Sequence, residues 1–159
     1  RDVAVTGVQT CALPICRGAY VTEMSEKDLR DVYHLLALLE SDAAGVVAAA
    51  ASPQQLGELE ALHAELGAAA GDRERFFTLN ERFHLRLLEL ADNRWRGQMV
   101  ADLRKVMKLS RHHSLFKLGR IEDSLAEHEA VMAALRARDA QGAAQAMRAH
   151  FAHGLEAAG

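Results

Sequence analysis

Apolar residues recur along this chain at the helical interval, and polar turn formers interrupt them at regular distances. Leu29, Val32, Tyr33, Leu36, Leu39 and Ala43 share one face of a helix predicted over about 26–51, with Ser25 as its N-cap and Asp28 in its first turn. Ser52-Pro53 restarts the chain, the serine as cap and the proline at the first helical position, where its missing N–H goes unmissed. The second helix then reaches about Ala70. Gly71-Asp72 breaks and caps a third over about 73–91, Asp92-Asn93 ends it, and a fourth runs to about His113. After a short loop around Gly119, a fifth helix covers about 120–138. Asp139 caps a sixth, which ends between Gly154 and Gly159. Six helices joined by short loops predict an all-α fold, an antiparallel bundle of about six helices.

Composition narrows this further. Aromatic residues make up 5% of the chain and there are two prolines, so neither a sheet nor frequent helix breaks are expected. A length of 159 residues suits one domain with a real core. The net charge is −3 and no basic patch stands out, which argues against tight nucleic-acid binding by this chain alone. No uninterrupted apolar run reaches the roughly 18 residues that would suggest a membrane span, and no signal peptide is evident, so the cytoplasm is the expected compartment.

The first twenty residues lack helical periodicity. Within them, Val5 to Ile15, VTGVQTCALPI, resembles the conceptual translation of a sequencing-library adapter. Residues 1–20 are therefore expected to be a non-native leader, and residues 21–159 the domain proper. Cys11 and Cys16, the only cysteines, fall in that leader, so no disulfide framework is expected.

Placing residues at about 100° per position locates polar groups where apolar ones belong. Phe76, Phe83, Leu87 and Ala91 define one face of the third helix; Asn80 falls at its centre and His84 beside it, one turn on. His128 interrupts the stripe of Ile121, Leu125, Met132 and Leu135, and His150 is surrounded by Ala143, Ala146 and Met147. Inward polar groups need partners. Each histidine alone reads as a satisfied core residue. Together, three imidazoles and an amide oxygen from three helices suit a shared divalent transition ion, zinc foremost with nickel or manganese as alternatives, leaving positions open for water or a carboxylate.

These residues carry a resemblance. From about Val21 onward the chain is similar to the FCD ligand-binding domain of GntR-family transcription regulators. Asn80-Glu-Arg-Phe-His84 resembles the family's Asp/Asn-x-x-x-His motif, and Leu90-Ala-Asp-Asn93 the break that follows it. Glu127-His128, Ala134-Leu-Arg-Ala-Arg-Asp139 and Met147-Arg-Ala-His150 follow in the family's order. The resemblance implies Asn80, His84, His128 and His150 as metal ligands and a small carboxylate effector, such as a sugar acid or dicarboxylate, on the ion. It also implies a homodimer that meets DNA only through an N-terminal winged helix-turn-helix domain missing from this chain, with no membrane partner. One position departs. Where the family often has Tyr-x-x-Arg-x-x-Leu-Glu, this chain reads Tyr33-His-Leu-Leu36-Ala-Leu-Leu-Glu40, with leucine in place of an arginine that could hold the effector. Arg104 and Arg111, seven apart on one edge of the fourth helix, either substitute for it as effector contacts or are solvated surface residues.

Two enzyme readings compete. A ferritin-like di-iron bundle needs inward Glu-x-x-His pairs, which Glu60/His63 and Glu81/His84 match in spacing but not in facing. A metal hydrolase needs a general base, and Glu127 is expected to point elsewhere than its neighbour His128. His153 is a fallback ligand one turn from His150, His63 a core-edge residue, and Trp95 a helix-packing residue.

Overall fold

The computed structural model of the protein describes residues 25–114 and 117–158, with side chains for 25–107 and 117–158. The leader expected at 1–20, with Cys11 and Cys16, and the Arg111 side chain lie outside the described residues. Six helices follow one another: α1 Glu26–Ala50, α2 Pro53–Ala68, α3 Arg73–Leu90, α4 Arg94–Ser114, α5 Arg120–Arg136 and α6 Ala140–Ala158. No strand occurs among the described residues.

The predicted caps form. Ser25 Oγ accepts from the Asp28 amide at 3.1 Å. Ser52 and Gln55 close a reciprocal capping box: the Gln55 amide donates to Ser52 Oγ at 3.2 Å, and the Ser52 amide to Gln55 Oε1 at 2.7 Å. Asp72, Asn93 and Asp139 each accept an amide hydrogen bond from three residues on. The fifth helix ends two residues before its expected limit because Arg138 adopts φ 59, a left-handed conformation that cannot continue a helix. There the Arg138 guanidinium donates to the Ala51 carbonyl, tying the α5–α6 corner to the end of α1.

α1 is the central helix, lying along α6 and touching α3, α4 and α5, while α2 packs on α3 and α5. The alanine-rich stretch at 43–51 explains how α1 and α6 come so close. Ala43, Ala44, Val47 and Ala48 are buried, and a Cβ on Gly45 would stand 3.2 Å from the Ala140 carbonyl oxygen. α1 is also long and apolar enough to cross a membrane by length and composition, with a mean hydropathy of 1.3 over its best window. That modifies the expectation drawn from uninterrupted runs, because a window mean tolerates Glu40, Ser41 and Asp42. Half of that window is buried inside the bundle, as befits a helix with neighbours on several sides.

Candidate metal centre

His84 from α3, His128 from α5 and His150 from α6 converge in the interior, each about 4% exposed or less. One ring nitrogen from each lies within 4.8 Å of the others. The ring centroids are 5.1 Å apart for His84–His128, 5.1 Å for His84–His150 and 4.7 Å for His128–His150. Phe83 packs against His128 at 4.7 Å and Phe151 against His84 at 5.7 Å, so aromatic carbon walls two sides of the cluster.

Two carboxylates stand behind the imidazoles. The Nδ1 of His84 donates to Glu40 Oε2 at 2.6 Å, and the Nδ1 of His150 to Glu127 Oε2 at 2.7 Å. A proton held on Nδ1 makes Nε2 the lone-pair nitrogen, the tautomer that a carboxylate-backed metal histidine uses. Each carboxylate is in turn held by an arginine. Arg104 on α4 donates Nε and Nη2 to Glu40 Oε1 at 2.9 and 2.5 Å, and Arg120 at the start of α5 grips both Glu127 oxygens at 2.9 and 2.8 Å. Two Arg–Glu–His relays therefore flank the cluster, one fully interior and one near the surface.

Asn80, one turn before His84, is buried, and its Oδ1 has no hydrogen-bond partner. An acceptor stranded this way costs about 1–3 kcal/mol. A divalent ion fits both observations, since it would take the amide oxygen and three neutral imidazoles as donors. The donor set carries no anion of its own, because the carboxylates stand one residue behind it.

Burial raises the Glu127 carboxyl, but hydrogen bonds and charge from His150 and Arg120 outweigh it and hold it at about 2. A carboxyl depressed in this way contributes stability that is complete above its ordinary value near 4.5 and is lost as pH falls through about 2. The stability difference between wild type and Glu127→Gln is therefore expected to shrink as pH falls across that interval. Urea unfolding at a series of pH values measures this.

Several expectations are revised. Glu127 does not point away from the site; it reaches His150 because α6 packs beside α5 and brings that ring within hydrogen-bond range. Arg104 is not a solvated residue but 5% exposed, on the inner face of α4 with Val100 and Met107. Trp95 is 66% exposed, with the Arg94 guanidinium over its ring at 4.4 Å, rather than packed between helices. His153 is mostly exposed and lies 3.1 Å from Glu127 Oε1, outside the cluster. Glu60 is exposed and Glu81 half-buried, so the carboxylates that meet the histidines are not those of the di-iron pattern. Glu40 is a site residue to which the sequence pattern assigned no role. Its position four residues after Leu36 and three before Ala43, on the buried face of α1, was the available signal.

A family model described as the FCD domain matches residues 31–153, a span that includes Asn80 and all three clustered histidines. Among solved structures, the fold is similar to E. coli McbR/YncC, with a TM-score of 0.76 and 21% identity over 82% of this chain and 67% of that one. It is also similar to Streptococcus agalactiae GntR, with a TM-score of 0.73 and 24% identity over 87% of this chain and 63% of that one. The chain thus spans about two thirds of the length of these structures. No curated protein matches the sequence.

Proposed function

Because this chain belongs to the FCD domain family, we propose that it is the effector-sensing part of a GntR-type bacterial transcription regulator, acting in the cytoplasm and not as an enzyme. His84, His128 and His150, with Asn80, hold one divalent transition ion, zinc in the first instance, and a small carboxylate binds on it. The observation that carries this reading is the convergence of three buried imidazoles, two of them backed by carboxylates. The ion would act as a fixed positive charge, and a donor set without an anion leaves that charge available to an anionic effector.

Arg104 and Arg111 remain the proposed effector contacts on α4. Arg104 is one carboxylate removed from His84, so an effector that drew on its guanidinium would compete with Glu40. Sensing requires that the effector bind one arrangement of the domain better than another. The output is DNA binding by winged helix-turn-helix domains paired through a homodimer. The outward faces of α1 and α4 suit that dimer. Leu35, Leu38 and Val46 on α1 and Trp95, Met99 and Val106 on α4 are exposed, and Arg96 joins the two helices by an ion pair to Asp42 at 2.5 Å.

The test is a thermal-shift screen of small carboxylates on zinc-loaded and chelator-stripped protein, with sedimentation of the same samples. At least one carboxylate is expected to raise the melting temperature only when zinc is present. Equal shifts in both forms, or none in the loaded form, contradict binding on the ion, and a monomer mass at micromolar concentration contradicts the dimer.

A further inference from the structure

His63 on α2 has no part in the four-ligand site, yet its ring runs parallel to that of His128, at 10° and 6.4 Å between centroids. Its Nδ1 faces a carboxylate oxygen of Glu129 at 3.6 Å, and its Nε2 is buried with no hydrogen-bond partner. The negative charge of Glu129 on that side favours the proton on Nδ1, which leaves the lone pair on the buried Nε2. A stranded acceptor beside a metal-site histidine is a cost to the fold that packing does not need, since the other inward α2 positions, Leu59, Leu62 and Leu66, are buried apolar residues. It becomes useful when something brings a donor to it.

Resting on the sensor reading above, we propose that His63 is a specificity-determining contact, its Nε2 accepting a hydrogen bond from a hydroxyl of the effector, and that the effector class is therefore a hydroxylated carboxylate. The discrimination follows from lone pairs. The carboxylate of the effector goes to the ion. The group that then meets His63 must bring a hydrogen, which an alcohol does and a second ionised carboxylate does not. A plain dicarboxylate would set two acceptors against each other, and an unsubstituted acid would leave Nε2 stranded. Asn80 Oδ1, another buried acceptor without a hydrogen-bond partner, goes to the ion in that reading, which leaves His63 to read the remainder of the molecule.

The test uses His63→Leu and His63→Gln in the full chain, with L-malate and succinate as probes that differ by one hydroxyl. Without metal or acid, His63→Leu is expected to melt about 2–4 °C above wild type, because it removes a stranded acceptor. A histidine that serves only packing gives the opposite sign. Zinc affinity is expected to stay within about threefold of wild type in both variants. Zinc-loaded wild type is expected to prefer malate over succinate by about tenfold or more, and His63→Leu to erase that preference while His63→Gln, which keeps an acceptor, retains part of it. A lower melting temperature for His63→Leu, including failure to fold, overturns the proposal, as does an unchanged malate preference. Wild type that takes up no zinc refutes the sensor reading instead, and the melting comparison still decides whether Nε2 is stranded. Loaded wild type that takes up neither acid overturns the proposal as well.

Discussion

Glu40→Ala is expected to lower folding stability by about 3–5 kcal/mol, read as a fall in the urea midpoint at constant slope. The carboxylate is fully buried on α1 and joins two other helices, accepting from His84 on α3 and from the Arg104 guanidinium on α4. Its removal leaves the Arg104 charge 5% exposed and without its carboxylate, which is the costly way to break a buried ion pair. Taking out both charges is far milder. Glu40→Ala combined with Arg104→Leu should recover most of the loss, because no uncompensated charge remains and the apolar face of Val100 and Met107 is extended. A double variant no more stable than Glu40→Ala alone would mean that the cost lies in His84 rather than in the guanidinium.

The second large effect is stabilisation by metal. An ion that binds the folded chain and not the unfolded one adds about 4 kcal/mol when its free concentration is a thousand times its dissociation constant. Zinc is therefore expected to raise the melting temperature of chelator-stripped protein with a logarithmic dependence on free zinc. His84→Ala, His128→Ala and His150→Ala should each remove most of that dependence, since each supplies one of the three clustered nitrogens. A wild-type slope that persists in all three variants would place the stabilising ion elsewhere.

Much of the site was legible because a helix repeats every 3.6 residues. His84, His128 and His150 stood out as polar residues within apolar faces, and all three are buried. The helix starts were legible for a local reason, as Ser25, Ser52, Asp72, Asn93 and Asp139 each cap an amide only three residues away. What periodicity does not carry is the contact between helices. Glu127 sits about 100° from His128 around α5, and only the approach of α6 turns that outward position into the partner of His150. Arg104 looked like one of two edge arginines until α1 placed Glu40 opposite it. Trp95 shows the converse, since a large aromatic side chain reads as core in a sequence, while here it lies outside on α4. The end of α5 depended on the left-handed turn at Arg138, which a non-glycine residue does not advertise.

Elemental analysis of purified protein after dialysis without chelator shows whether the buried histidines hold an ion. Close to one equivalent of zinc, nickel or manganese per chain is expected, reduced to background in His128→Ala. Protein that remains metal-free after incubation with all three ions, or that carries the same metal content in His128→Ala, would contradict it.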